Sequence, residues 1–466
     1  MEIQLSNKIR VKNAPSAIQE WLISILKVPN PKYAEAEQAG RSLWGLDPYL
    51  YNFSFLPDNS LLIPRGLREK LISAAEKADV DYTLIDNRSK HDFVHVDSRN
   101  IKYRPYQYNA VLKLIGETEG FIVAPAGSGK TVVGLSLLPL LGQPMLWLTH
   151  TGPLADQAKE RAESFLPTIG KIGLLGRGKW EIGELLTIAM VQTLVRRPDD
   201  LIGIRDRFGT VVLDEAHHAP ASTFLKVIGA FNSYYLYGLT ATPYRRDKLE
   251  QIMFQAIGWP KVTIDIDEVE KHGGIMKPVV RYRSVRSAKV EGNNIQTILK
   301  NNIVGNKSRN NMIVGDVIAE ATKGNFCIVI SDRKAHCEDL YELISLGWEK
   351  TGIATGNYSK KYVREQVQRY NDNEITVLVT TFSLLGEGFD VDFLNRAFIA
   401  MPFRAESKAE QLIGRIQRTA PGKTDAIVYD YVDVDIGVLK NQFHANKDKN
   451  CRINVYERLG LSVEPY

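Results

Sequence analysis

The chain has 466 residues, 44% of them hydrophobic and 24% charged, the mix of a folded globular protein rather than of a disordered, collagen-like or membrane-embedded one. Fifty-nine Lys and Arg against 54 Asp and Glu leave a formal charge of +5, which permits a polyanionic partner without demanding one. Cys327, Cys337 and Cys451 have no CxxC spacing, no window approaches the roughly 20 apolar residues of a membrane-spanning helix, and MEIQLSNKIR lacks the features of a signal peptide, so zinc, disulfides and a membrane are not expected.

Residues 1–98 form a first unit, expected to be a small α+β accessory domain. It is rich in aromatics (Trp21, Tyr33, Trp44, Tyr49, Tyr51) and closes on the polar stretch Asp86 to Lys90. From residue 99 short apolar runs alternate with longer amphipathic stretches: FIVA (121–124), MLWLT (145–149), LLTIAMV (185–191), TVVLDEA (210–216) and YYLYGLTAT (234–242). Buried strands alternating with helices predict βαβ units and a parallel sheet covered on both faces. The segment Trp259 to Pro278, with Gly273-Gly274, reads as a connector, placing a first α/β domain at 99–275. A second alternation follows in VVRYRSV (279–285), FCIVIS (326–331), TVLVTT (376–381), RAFIAM (396–401) and AIVYDYV (426–432), giving a second domain at 276–440. One large doubly wound sheet is the alternative. Residues 441–466 are expected to be a helical tail.

FIVAPAGSGKT (121–131) is a strand, a Gly-rich loop and the start of a helix. The N–H groups of such a loop, here Ala124, Pro125, Ala126, Gly127, Ser128 and Gly129, turn inward to cradle phosphates, and the helix N-terminus adds a favourable dipole (Pro125 contributing no N–H). Lys130 would reach the β and γ phosphates and Thr131 would bind Mg²⁺. Ala124 stands where the general pattern has Gly. TVVLDEAHH (210–218) then delivers Asp214 and Glu215 at the end of an apolar strand, where ligands bind in open α/β sheets. Asp214 can hold Mg²⁺, and Glu215 can orient and deprotonate an attacking water. The expected cofactors are therefore ATP and Mg²⁺.

These motifs and those that follow resemble, in order, the set of superfamily 2 helicases over roughly residues 100–435, which implies two tandem RecA-like domains. RPYQYNA (104–110) is similar to the Q-motif region, implying that Arg104 and Gln107 lie at the nucleotide and that Gln107 reads the adenine edge. LTHTGPLADQ (148–157) and IAMVQTL (188–194) look like motifs Ia and Ib, implying strand contacts by His150, Thr151, Gln192 and Thr193. LTATP (239–243) looks like motif III, with Thr240 and Thr242, and His217 beside the DEAH carboxylates, coupling ATP state to the bound strand. In the second half, IVISDRKAHCEDL (328–340) resembles motif IV, which carries Ser331. VLVTTFSLLGEGFDV (377–391) looks like motif V, implying Thr380 and Thr381 at the strand and Gly388 and Asp390 at the nucleotide. QLIGRIQRT (411–419) matches QxxGRxxR at Gln411, Gly414, Arg415 and Arg418. Charge that develops on the γ-phosphate calls for an arginine from the far domain; Arg418 is the expected finger and Arg415 its phosphate-binding neighbour.

The spelling GSGKT, DEAHH, TATPYRRD and EGFDV resembles the UvsW, RadD and XPB group, and the compact size a phage-type member. That implies remodelling of single-stranded and branched DNA, moving 3′ to 5′, by a protein acting as a monomer; the cysteine usage and the missing signal peptide lead to the expectation of a cytoplasmic protein, in a host if phage-encoded. The first unit is then a candidate branched-DNA reader, with Lys27, Lys32, Arg41 and Arg65 on phosphates and Trp44 or Tyr49 against bases, although aromatics near Pro and Gly usually build a small core. Two other readings stay open: an RNA helicase, and a translocase that does not unwind.

Overall fold

Each apolar run after residue 99 contains a strand. One sheet holds Glu119–Val123, Met145–Thr149, Leu186–Met190, Thr210–Leu213 and Tyr235–Thr240; a second holds Val279–Val285, Cys327–Ile330, Val377–Thr380, Arg396–Ile399 and Ile427–Asp433. Most of the runs are apolar because a parallel strand is buried on both faces; Val279–Val285, with Arg281, Arg283 and Ser284, has only Val280 and Val285 buried. The computed structural model describes residues 1–215, 221–241, 249–286, 294–386, 391, 393–403, 406–444 and 451–466. They divide into two units, Met1–Glu268 and Val269–Tyr466.

In the first unit the large sheet runs Lys179–Glu181, Gly173–Gly176, Leu186–Met190, Met145–Thr149, Thr210–Leu213, Tyr235–Thr240, Glu119–Val123, Pro260–Thr263. Every neighbouring pair is parallel except the outer hairpin formed by the first two. Strand Glu119–Val123 is followed in the chain by Met145–Thr149, yet Thr210–Leu213 and Tyr235–Thr240 lie between them. The carboxyl ends of these four strands therefore converge on the point where the strand order reverses. The segment expected to be a connector contributes instead the edge strand Pro260–Thr263 and the helix Ile266–Lys271. An edge strand tolerates the missing N–H of Pro260, and only one of its four residues is buried, so it carries little apolar signal.

Residues 1–86 hold their own sheet, in the order Ser54–Phe55, Leu61–Pro64, Lys8–Lys12, Glu2–Leu5, Thr83–Asp86. Helices Ser16–Leu26 and Arg68–Lys77 pack on it around Ile3, Ile9, Val11, Leu22, Leu26 and Leu71. Arg65, expected on phosphates, is 2% exposed. Its guanidinium donates to Glu119 Oε2 at 3.2 Å and to the carbonyls of Ser233 and Tyr234 at 2.7 and 3.1 Å, so it joins this region to the large sheet and has no face for a polyanion.

Among the described residues the second unit holds a seven-stranded sheet, parallel throughout, in the order Thr351–Ala354, Val377–Thr380, Cys327–Ile330, Arg396–Ile399, Ile427–Asp433, Val279–Val285, Val463–Pro465. The period of two is visible in its cores: Ile328, Ile330, Leu378, Ala397 and Val428 enter one apolar layer, while Cys327, Val329, Val377, Phe398 and Tyr429 enter the other. The tail is helical at Arg452–Arg458 and then supplies the edge strand Val463–Pro465, pairing with Val280 to Tyr282. Among the described residues no helix is long and apolar enough to cross a membrane.

Candidate active site

The phosphate loop hangs between strand Glu119–Val123 and helix Lys130–Leu141. Its first residue, Ala124, donates its N–H to the Thr240 carbonyl at 2.9 Å, which ties the loop to the neighbouring strand. Gly127 and Gly129 have φ of 82° and 81°, in the left-handed region where only glycine sits without strain. Gly129 is required twice over, since a Cβ there would lie 2.3 Å from Gln107 Nε2.

Lys130 is 8% exposed; its Nζ donates to the Ala124 carbonyl at 3.2 Å and lies 3.6 Å from Glu215 Oε1. Glu215 follows Asp214 at the end of strand Thr210–Leu213, with φ of 47°, an unusual conformation for a residue with a side chain and one found mostly where function holds it. Asp214 is 7% exposed, and its Oδ1 accepts the Glu215 N–H at 3.0 Å. Burial first, and then the adjacent Glu215 charge, push its carboxyl up to about 7, against the pull of Lys130. A buried carboxylate whose ionised form is disfavoured is suited to a cation that restores its charge. Ser128, fully buried in the loop, has a hydroxyl that finds no hydrogen-bond partner among the described residues. A cradle that only glycine fits, an unsatisfied hydroxyl inside it and an acid–cation–acid cluster at its mouth fit a Mg²⁺–phosphate group.

The structure thus brings Lys130, Asp214 and Glu215 together, and Gln107 adjoins the loop from helix Pro105–Ile115, whose N-cap is Arg104. The adenine-reading geometry expected of Gln107 is not what its side chain adopts. It is 1% exposed, its Oε1 accepts the Arg104 N–H at 2.9 Å, and its Nε2 donates to the Ser128 carbonyl at 2.8 Å. The Tyr106 hydroxyl donates to the same carbonyl at 3.1 Å. Both ends of the Gln107 amide are therefore spent on fixing the phosphate loop to the helix.

Strands Met145–Thr149 and Leu186–Met190 are parallel neighbours, with Thr149 opposite Met190, so the segments expected at the nucleic acid emerge side by side. His150 Nδ1 lies 3.1 Å from Gln192 Nε2, joining them; Thr151 and Thr193 flank this pair in sequence. Arg177, passed over in the sequence, sits with them. It crosses the start of helix Gly152–Phe165, where its Nη1 and Nη2 donate to Asp156 at 2.9 and 2.8 Å. The signal that could have found it is the basic hairpin turn Arg177-Gly178-Lys179.

In the second unit Ser331 and Thr380 likewise end adjacent parallel strands, the Ser331 N–H donating to the Thr380 carbonyl at 3.1 Å. Neither side chain presents itself as a strand contact, because both residues are fully buried. The Ser331 hydroxyl meets His336 Nδ1 at 3.0 Å and accepts the Arg333 N–H at 3.2 Å, organising the turn. Thr381 is 6% exposed and shares a 3.1 Å hydrogen bond with Ser383. Gln411 and Arg415 lie on helix Glu406–Ile416, whereas Arg418 lies past its end, bridged to Ile275. Lys423 Nζ closes that helix end by donating to the Ile416 and Arg418 carbonyls at 2.5 and 2.6 Å. His217, Thr242, Gly388 and Asp390 lie outside the described residues.

Residues 100–245 match the family model described as "Type III restriction enzyme, res subunit", and residues 310–420 the one described as "Helicase conserved C-terminal domain". "Probable helicase D10" of Escherichia phage T5 is 25% identical over 362 residues, 76% of this chain and 76% of the relative. "ATP-dependent DNA helicase uvsW" of Enterobacteria phage T4 is 22% identical over 440 residues, 87% of this chain and 86% of the relative. The solved structure "S. cerevisiae Dbp5 bound to RNA and ADP BeF3" covers 78% of this chain and 90% of its own at 15% identity, with a TM-score of 0.53, a likeness of fold. Two RecA-like α/β domains in tandem, one matching each of these two models and both spanned by phage helicase relatives, make this chain a member of helicase superfamily 2.

Proposed function

We propose that this ATP-dependent helicase acts on DNA, moving 3′ to 5′ along single strands, unwinding forks and driving branch migration of Holliday junctions. The observation that carries the motor is the Lys130–Glu215 pair, 3.6 Å apart beside a buried Asp214, where the strand order reverses. Support for DNA is the name of the T4 relative, aligned over most of both chains.

In this reading the loop N–H groups and Lys130 hold the β and γ phosphates, Lys130 exchanging its contacts with Ala124 and Glu215 for phosphate oxygens. Mg²⁺, when bound, supplies charge neutralisation of those oxygens. Asp214 and Thr131 hold it. Glu215, released from Lys130, orients the attacking water and accepts its proton. Arg418, with Arg415 and Gln411, comes from the second RecA-like domain to the developing γ-phosphate charge, so turnover requires both domains. His217, Thr240 and Thr242 couple that chemistry to the strand, and Gly388 and Asp390 complete the nucleotide contacts. His150, Thr151, Gln192 and Thr193 in the first domain, and the turns after Ser331 and Thr380 in the second, grip phosphates and sugars, so movement is largely blind to sequence. Residues 1–98 serve as the accessory unit that engages the branch.

ATP hydrolysis measured with single-stranded DNA and with RNA, followed by strand displacement on forked and four-way junctions, tests this reading. Stimulation by DNA and ATP-dependent junction dissociation are expected. Stimulation by RNA alone would replace DNA with RNA as the track, and intact junctions would leave a translocase that does not unwind.

A further inference from the structure

Strands Lys27–Pro29 and Tyr49–Tyr51 form an antiparallel ribbon in which Lys27 stands opposite Tyr51 and Pro29 opposite Tyr49. Side chains alternate along a strand and directly opposed residues share a face. Lys27, Pro29, Tyr49 and Tyr51 therefore occupy one face, and Val28 and Leu50 the other. The second face packs inward, Val28 being 2% exposed, while Tyr49 is 37% and Tyr51 51% exposed. Lys27 Nζ lies 3.9 Å from the centre of the Tyr49 ring. The period of two continues beyond the ribbon: Tyr51 meets Phe53 edge-on at 6.1 Å and Phe53 meets Phe55 at 5.9 Å, leaving Phe55 half exposed. Trp44, in the connection between the ribbon's two strands, is 94% exposed.

These rings are not needed to close the local core, which is built from aliphatic side chains of the five-stranded sheet and its helices, with Phe53 packed against it. An indole held almost wholly in water contributes nothing to folding, yet it offers one of the largest contact areas available to a partner. The composition of the surface says what kind. Between residues 41 and 60 the large apolar side chains most exposed are the rings Trp44, Tyr49, Tyr51 and Phe55, while Leu43, Leu46, Leu50 and Leu56 are only partly exposed. The centre of a protein-docking face is enriched in rings but depleted in lysine, whereas here the Lys27 ammonium lies against the Tyr49 ring. Flat rings flanked by a cation suit bases stacking on the π faces while ammonium groups meet the phosphates.

We propose that Trp44, Tyr49 and Tyr51, with Lys27 beside them, form a base-stacking platform for single-stranded nucleic acid. This deepens the reading of the chain as a nucleic-acid motor and rests on it. Binding of the full chain to a labelled oligothymidylate, and to a strand of equal length made of abasic residues, is followed by fluorescence anisotropy without nucleotide. Trp44→Ala and Tyr51→Ala are each expected to weaken oligothymidylate binding about tenfold, the scale of one stacked base, and to leave the abasic strand and nucleic-acid-free ATP hydrolysis unchanged. Trp44→Phe, which keeps a ring, restores most of the affinity. Oligothymidylate affinity equal to wild type in both alanine variants, with hydrolysis by the wild type still stimulated by DNA, overturns the platform but not the motor, and assigns the rings to a protein partner instead. A wild-type chain that neither binds nor is stimulated by any nucleic acid overturns both.

Discussion

Lys130 and Glu215 face each other across 3.6 Å, and replacing either one probes a different half of the chemistry. Lys130→Ala is expected to lose both nucleotide affinity and turnover. Glu215→Gln keeps the shape but cannot accept a proton, so it should bind nucleotide and fail to hydrolyse it; fluorescent-nucleotide titration and phosphate release separate the two. Gly129→Ala forces a Cβ to within 2.3 Å of Gln107 Nε2 at a positive φ. Strain of roughly 1–2 kcal/mol from the left-handed backbone alone, together with a displaced Gln107, should lower thermal stability and nucleotide affinity together. His336 offers a test by pH. It is fully buried between Ser331 and Asn310, and burial, then the charge of Arg309, pushes its pKa down to about 3 from 6.5. The unfolded chain therefore binds this proton more readily, so stability is intact above about pH 6.5 and falls towards pH 3, by at most ~1.4 kcal/mol per unit for this group. Urea midpoints at about pH 5 and pH 7 should differ more in the wild type than in His336→Gln. Equal differences would remove His336 from the account.

At the scale of elements, two buried ion pairs hang from strand Ile427–Asp433. Arg452 binds Asp430 through Nε and Nη2 at 2.7 and 3.0 Å, and its Nη1 donates to the Phe403 carbonyl at 3.0 Å. Arg309 binds Asp433 at 3.1 Å and donates to the Ala400 carbonyl at 2.6 Å. The two pairs hold the segment that leaves strand Arg396–Ile399 towards the helix carrying Gln411 and Arg415. Both arginines are 1% exposed, so removing one strands an aspartate in the core. Arg452→Ala is expected to cost ~3–5 kcal/mol, read as a lowered urea midpoint. A surface contact would cost far less. Arg452 gives no sign in the sequence of being a core residue, because an arginine that pairs with an aspartate 22 residues earlier leaves no local signature. The same blindness hid Arg65, whose partner Glu119 is 54 residues away.

For the whole molecule, the proposed function would divide the chemistry between the two RecA-like domains, with the phosphate loop, Asp214 and Glu215 from one and Arg415 and Arg418 from the other. Arg418→Ala should preserve nucleotide affinity while cutting turnover by roughly 10³-fold or more, the scale on which arginine fingers act. Affinity lost in equal measure would make Arg418 a binding group instead. Adding salt should weaken nucleic-acid binding in proportion to the phosphates contacted, while leaving hydrolysis without nucleic acid less affected.

What the chain alone determined is local: the apolar runs that become parallel strands, the glycines that turn the phosphate loop, and the carboxylates at the end of an apolar strand. Each is written within a dozen residues, since strand burial and loop geometry depend on near neighbours. The tertiary structure decided which side chains remain available. It buried Arg65, Ser331 and Thr380, engaged both ends of Gln107, drew one edge strand each from the expected connector and the helical tail, and left Trp44 and Tyr51 in water. Those outcomes depend on pairing between segments far apart in the chain, which no local pattern encodes.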